Sequence, residues 1–468
     1  MAEHILFLTG KLAEKSLHKV LAEMQQSEFG YDVLNIGISV AGLMTADLIL
    51  RRLPNSGNST RITVPGRCRG DLDALSKHYG VPVVRGPDEL KDLPQYFGKK
   101  GASEDLSRYD VRIFAEIVDA PQSSIEQILQ RAERYRKDGA DVIDLGCLPE
   151  TPFPHLEEAV AALKQMGFAI SVDSVEPEEL LRGGKAGADY LLSLKEDTLW
   201  VADEVASIPV LIPAQTGDLA SLERAIEYMM KRKRRFIADS VLDPIHFGFA
   251  DSLVRYYELR RRHPEVEIMM GVGNLTELTD ADTTGINALL MGVISELRIT
   301  NILTTEVSPH ARRAVREADV ARRIMYAARE ATSLPRDFSS ELLTTHARKP
   351  FPDTAEEIAE LARAIKDPSY RIQVSEQGIH IYNRDGLHVA TDPFALFPLL
   401  NLENDAAHAF YLGVELARAQ IAWQLAKRYN QDEELDWGCA VERKPEDLMQ
   451  HHAPGTTLEV VKKKAKNK

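Results

Sequence analysis

Cysteine is scarce in this sequence: three residues in 468, Cys68, Cys147 and Cys439, with no C-x-x-C pair among them. That excludes a thiolate-built zinc or iron–sulfur centre and fits a reducing compartment. Long apolar runs are missing too. No stretch approaches the ~20 residues that a membrane span needs, and MAEHILFLTGKLAEK has neither the basic start nor the apolar core of a signal peptide. A cytoplasmic protein with no membrane partner is expected. Positive charge is in deficit: 57 Lys and Arg against 71 Asp and Glu give a net charge of −14, which argues against a nucleic-acid groove as the main partner surface. The basic run Lys231–Arg235 closes an amphipathic segment, where the helix macrodipole favours cations. Residues 446–468 read as a flexible basic tail, and His451-His452 within it as incidental.

What is present is an ordinary globular composition, 44% hydrophobic and 27% charged, with length for two to four domains. From residue 111 a beat repeats. A short apolar run is followed by a polar turn and then by a segment of helical periodicity. The runs are VRIFAEIVD (111–119), DVIDLG (141–146), AISVDS (169–174), YLLSL (190–194), PVLIPA (209–214), FIADSV (236–241), EIMMGVG (267–273) and NILTTE (301–306). Short, near-continuously apolar strands suit a sheet covered on both faces. Ser124 opens a Ser-x-x-Gln capping box, and Ile125, Ile128, Leu129, Ala132 and Tyr135 form one stripe. Ile286, Leu289, Leu290, Val293 and Ile294 form another. Eight such units predict a central (β/α)8 barrel over 109–332, with a doubly wound open sheet as the alternative.

The flanks differ. ILFLTG, YDVLNIG, RITVPG and VPVVRG predict a small N-terminal α/β layer domain, Rossmann- or flavodoxin-like, over 1–105, with residues 98–108 as linker. Its ITVPGRCRGD segment (62–71) reads either as a strand-to-helix turn or as an anion loop. YRIQVSEQGIHIYNRDGLHVA (370–390) alternates with period two and is broken at Gln377-Gly378 and Asp385-Gly386. With a long helix from about Asn404 to Tyr429, it predicts a small C-terminal α+β domain over 355–445. On that helix Phe410, Val414, Ala417, Ile421 and Leu425 form the apolar stripe. His408, Tyr411, Glu415 and Arg418 share a polar face, either solvated or used for docking.

Barrel enzymes carry their chemistry at the carboxyl ends of the strands. The polar residues there are Glu116, Asp119, Asp144, Asp173, Ser193, Lys195, Gln215, Asp239, Asp243, Asn274 and Glu306. A charge in or beside an apolar strand must be paired, hydrated or used. A mouth of carboxylates and amides suits a neutral or donor-rich ligand better than a polyphosphate. No grouping has metal-ligand spacing, so no metal site is expected, and a requirement for Mg²⁺ stays open without support from the residues.

AGADVIDLG and AISVDSVEPEELLRGGKAGADYLLS resemble the second and third strand motifs of the pterin-binding barrel superfamily, which includes dihydropteroate synthases and methyltetrahydrofolate-dependent corrinoid methyltransferases. FIADSVLDPIHFGF is similar to its sixth strand. The whole chain resembles dihydropteroate synthase-related proteins linked to tetrahydromethanopterin metabolism, through GVGNLTEL and HAFYLGVELARAQIA (408–422). The resemblance implies a reduced pterin as ligand. A pterin presents an amino group and a ring N–H side by side, a two-donor edge that one carboxylate accepts in a fork. Asp239 matches the residue in that role, with Asp243 as the alternative, and Asp173 matches the third-strand aspartate that reaches other ring nitrogens. Glu116, Asp144, Ser193, Gln215 and Glu306 complete the expected ligand-binding set. Asn274, donor and acceptor at once, is expected at the reacting edge together with Asp173.

Departures from the synthases matter. The seventh strand reads Gly273-Asn274-Leu275 where they have Ser-Arg-Lys, and NILTTE lacks their Arg and His. The ring-recognition carboxylates are kept and the pyrophosphate-holding cations are not. Three readings follow: a condensation or transfer at a reduced pterin, pterin-dependent methyl transfer to a corrinoid or other acceptor, and a non-catalytic carrier, sensor or scaffold. A homodimer and a corrinoid or pathway-enzyme partner stay open.

Overall fold

The computed structural model describes residues 3–24, 29–87, 90, 93–97, 105–336, 338–402 and 404–442. The basic tail at 446–468, and the expected linker up to residue 104, lie outside them. The chain divides into two compact units, one of Met1–Ser103, Thr345–Trp437 and Glu442–Lys468, the other of Glu104–Thr344 and Gly438–Val441.

In the first unit four short strands form a parallel sheet: β1 (His4–Thr9), β2 (Gly30–Asn35), β3 (Arg61–Val64) and β4 (Val83–Arg85), in the order β2-β1-β3-β4. Side chains alternate across a strand, and β1 is covered on both faces. Ile5 and Phe7 pack with Leu17 and Leu21, while Leu6 and Leu8 pack with Ile49 and Leu75. The same unit holds an antiparallel meander, β13 (Arg371–Ser375), β14 (Gly378–Asn383) and β15 (Gly386–Ala390). Its turns fall at the two X-Gly pairs, and Gly378 has φ 136°, which favours glycine.

The helix Ala406–Gln424 turns the face opposite to the one its sequence suggests. Phe410, Val414 and Ile421 are exposed, and Leu412, Glu415, Leu416, Ala419 and Ala422 are buried against β13 and β14. The physical reason is that Glu415 is fully satisfied inside. It accepts from Arg418 (2.7 Å), the Tyr429 hydroxyl (2.7 Å) and the Asp432 backbone N–H (3.1 Å). A partnered carboxylate can be buried, and an apolar stripe can be left outside.

The second unit is a closed all-parallel barrel of β5 (Arg112–Ile117), β6 (Val142–Gly146), β7 (Ala169–Asp173), β8 (Tyr190–Leu194), β9 (Ile208–Leu211), β10 (Ile237–Ala238), β11 (Glu267–Gly271) and β12 (Asn301–Thr305). All eight lie within the expected apolar runs, apart from a one-residue earlier start in β9. The whole protein is therefore α/β, a (β/α)8 barrel with an N-terminal parallel sheet and a small C-terminal antiparallel sheet with its helix. The capping box forms at the helix Ile125–Lys137. The Ser124 hydroxyl accepts from Gln127 N, and Gln127 Oε1 accepts from Ser124 N. Ser124→Ala should lower barrel stability by about 1 kcal/mol in urea unfolding, with no change in m-value. On the helix Thr283–Glu296, Leu290 and Ile294 are buried as expected, but Leu289 faces out.

The lumen is filled in layers. At the amino end Arg112 pairs with Glu267 and donates to the Tyr190 hydroxyl (3.0 Å). Above it Phe114, Val142, Leu192, Val210, Ile237 and Met269 form an apolar floor.

Candidate functional site

Period-two alternation decides what lies on that floor. Two residues beyond Phe114 comes Glu116, two beyond Val142 comes Asp144, and two beyond Ile237 comes Asp239. Asp173 stands two beyond Ser171. The strand register pairs Glu116 with Asp144 and Gly146 with Asp173. One oxygen from each of Glu116, Asp144 and Asp173 lies within 4.8 Å of the others. The earlier expectation of no metal-ligand grouping is thereby corrected. Spacing along the chain could not reveal a set whose members come from three different strands.

Small residues around the cluster make it possible. A Cβ on Gly146 would overlap Glu116 Oε1 where it now stands, so a side chain there would push that carboxylate aside. Ser171 donates to Asp144 Oδ1, and Ser193 donates to Asp173 Oδ1 (2.6 Å). Ser193 reaches Asp173 because β8 is bulged. The β8–β9 register shifts between Leu191 and Leu194, and Ser193 sits at φ 73°. A bulge re-aims one side chain at the expense of ladder regularity, and the positive φ on a non-glycine residue is strain held at the site.

Asp239 follows β10 directly. Its Oδ1 accepts both the Tyr256 hydroxyl (2.5 Å) and the Val241 N–H (2.7 Å). Val241 is at φ 66°, an unfavourable conformation for a β-branched residue. Both bonds fall on one oxygen, Oδ1.

The charges interact strongly. Burial on an apolar floor disfavours the ionised form. It raises Asp144 well above the ordinary range, with Asp173 and Glu116 adding repulsion. Burial, then the charge of Asp173, pushes Glu116 up to about 8. Burial raises Asp173 also. Asp239 rises to about 6, mainly by burial, with the Tyr256 hydrogen bond opposing.

The other expected residues fall elsewhere. Asp243 is buried in an ion pair with Arg255, whereas the two bonds to Asp239 both fall on Oδ1. The Glu306 side chain is 1% exposed and spends both oxygens on the barrel shell, Oε2 on Arg134 (2.8 Å) and Oε1 on Val315 N (3.2 Å). Gln215 is exposed on its loop. Asn274 is exposed in the short helix Gly273–Thr276, and its amide donates to the Leu242 carbonyl (2.7 Å), tying two mouth loops together. Gly273 stands near Thr305, where a Cβ would lie 3.2 Å from its Oγ1. Tyr256, Ser171 and Gly146 were not foreseen. Ser171 shared the alternation of Asp173 and was readable. Tyr256 comes from the middle of the helix Phe249–Arg262, and nothing local marks it.

Chemically, the layer offers carboxylate oxygens over an apolar base. None of Glu116, Asp144 and Asp173 has a Lys, Arg or His ion-pair partner among the described residues. Such a site accepts hydrogen bonds from a flat donor-rich ring or coordinates a hard cation.

Over residues 3–88 the chain matches a family of unknown function (DUF6513). Over 92% of its length it is similar, at 27% identity, to the uncharacterized protein MJ0107 of Methanocaldococcus jannaschii, of which 98% is covered. Among solved structures it is distantly similar to the dihydropteroate synthase of Yersinia pestis with a pterine–sulfa conjugate. That likeness has 20% identity and a TM-score of 0.36, over 48% of this chain and 95% of that one. The synthase of Coxiella burnetii in complex with pteroic acid gives 16% identity and a TM-score of 0.37 over 47% and 94%. In the described residues no helix is long and apolar enough to cross a membrane.

Proposed function

We propose that this chain binds a reduced pterin at the barrel mouth and acts as a dihydropteroate synthase-like transferase in tetrahydromethanopterin biosynthesis or the related one-carbon chemistry. One observation carries the reading. Asp173 and Asp239, the two residues that the strand-motif resemblance assigns to the ring, stand at the carboxyl ends of β7 and β10 in one barrel mouth, on lumen-facing positions, with Asp173 close enough for its charge to add to the burial that raises Asp239. Asp239 Oδ2 accepts from the two-donor edge of the ring, and Asp173, oriented by Ser193, accepts from ring nitrogens on the other side. An ionised acceptor roughly doubles the strength of such bonds, and the apolar floor supports the ring face.

The test is calorimetric titration of the full chain, in EDTA, with a 7,8-dihydropterin. Wild type should bind saturably, and Asp173→Asn at least tenfold more weakly. No heat with wild type, or the same affinity in Asp173→Asn, would reject the assignment.

A second reading, methyl transfer to a corrinoid or other acceptor, is favoured by Gly273-Asn274-Leu275, which stands where the synthases that the strand motifs resemble carry Ser-Arg-Lys. A reaction that expels pyrophosphate uses such side-chain cations to hold the leaving group, whereas methyl transfer does not need them. An absorbance change in a corrinoid mixed with this protein and a methylated pterin would favour it, and an unchanged spectrum would count against it.

A further inference from the structure

We infer that Glu116, Asp144 and Asp173 form a binding site for one divalent hard cation, Mg²⁺ or Mn²⁺, beside the proposed ring position. The three oxygens within 4.8 Å of one another match the spacing that a central ion with ligands at about 2.0–2.6 Å imposes. A purely carboxylate set selects Mg²⁺, Mn²⁺ or Ca²⁺ over softer metals.

A second observation points to a ligand. Asp144 is 0% exposed, and its Oδ2 is buried with no hydrogen-bond partner, while Oδ1 is taken by Ser171. A buried carboxylate oxygen without a partner is among the costliest groups a fold can hold. The barrel does not solve this with an internal cation, although it does so for the neighbours: Asp119 has Arg131, Glu306 has Arg134 and Asp243 has Arg255. The three inner carboxylates are left to something that comes from outside. The surroundings are shaped for it, since Gly146 makes room for Glu116. The Ser171 and Ser193 hydroxyls fix the orientation of the two aspartates, as groups behind metal ligands do. Three protein oxygens would leave about three positions of an octahedral ion for water or for an oxygen of a substrate.

This inference shares Asp173 with the pterin reading but does not need the pterin, so the two fail separately. The full chain, stripped with EDTA, is titrated with Mn²⁺ alone, and free Mn²⁺ is read from its paramagnetic resonance signal. One ion should bind per chain. Glu116→Gln and the near-isosteric Asp144→Asn should each weaken binding at least tenfold, and Asp119→Asn should leave it unchanged. Gly146→Ala, which keeps all three carboxylates but crowds Glu116, should weaken it also. Mn²⁺ should raise the unfolding temperature of wild type and not of Glu116→Gln, which shows in the same samples that the variant is folded. No bound Mn²⁺ in wild type, or equal loss in Asp119→Asn and Glu116→Gln, overturns the site.

Discussion

Replacing Asp239 with asparagine should abolish pterin binding and at the same time make the barrel harder to unfold at alkaline pH. The binding loss follows from chemistry. Asparagine keeps an acceptor oxygen for the Tyr256 hydroxyl and the Val241 N–H, so the local structure is retained. It puts an NH₂ where Oδ2 now accepts, and a donor facing the ring's donors repels them. A loss of 100-fold or more is expected, since a buried charged acceptor is replaced by an unpaired donor.

The stability gain follows from linkage. Asp239 has an ordinary value of 3.8 and is raised to about 6 in the fold, by burial first and by the charge of Asp173 last among the raising causes. Below about pH 4 the group is protonated in both the folded and unfolded states, and it adds no penalty. As pH rises from about 4 to 6, the unfolded chain releases the proton while the folded chain keeps it, so stability falls. Above about pH 6 the penalty is complete, on the order of 3 kcal/mol for a shift of about two units. Asparagine never ionises and escapes it. Urea unfolding in EDTA should therefore give similar midpoints for wild type and Asp239→Asn at pH 4, and a clearly higher midpoint for the variant at pH 8. Equal differences at both pH values would mean that the carboxyl is not raised. A gain in stability coupled to a loss of binding is the signature of a residue kept for function.

The other large effect is expected at Arg322, on the opposite side of the barrel's logic. Its guanidinium is 1% exposed and closes the last helix onto the first strands. It donates to the Val111 carbonyl (2.5 Å), the Gly139 carbonyl (2.8 Å), Asp319 (2.6 Å) and Asp141 (2.5 Å), and it lies 3.6 Å from the Tyr109 ring centroid. Asp141 also accepts from the Ile113 N–H (2.8 Å), so one network holds β5, the turn before β6 and the helix Ala314–Glu330. Arg322→Met removes this donor from two carbonyls and two carboxylates, and leaves Asp141 with the Ile113 N–H and the Tyr109 hydroxyl, and Asp319 with Arg323. Breaking a buried pair from one side costs about 3–5 kcal/mol. Arg322→Lys should recover little, because a single ammonium cannot span a fork that serves four acceptors. The midpoint of urea unfolding measures both variants. A lysine variant as stable as wild type would show that charge alone, and not the planar fork, closes the barrel.

These two residues mark the limits of reading the chain. The barrel was legible because its strands are short continuous apolar runs at even intervals, a pattern that only a sheet covered on both faces requires. The carboxylate layer was legible residue by residue, since Glu116, Asp144, Asp173 and Asp239 each interrupt or end such a run. Their grouping was not, because it depends on register between strands: Glu116 beside Asp144, and Gly146 beside Asp173. Glu306 and Asp243 carried the same local signal as the inner four, and the fold spends both on arginines from helices. The helix Ala406–Gln424 shows the reverse failure. Its stripe at Phe410, Val414 and Ile421 competes with a second one at Leu412, Leu416, Ala419 and Ala422, and the second goes inside together with Glu415, which Tyr429 and Arg418 receive.

The sequence by itself determined which segments become strands, how many there are, and which positions on them are acidic, because alternation and burial are local properties of a strand. Only the tertiary structure decided which acidic groups face each other across the lumen and which are neutralised in the shell, because partners in a closed barrel are set by closure and register, and neither is written in any one segment.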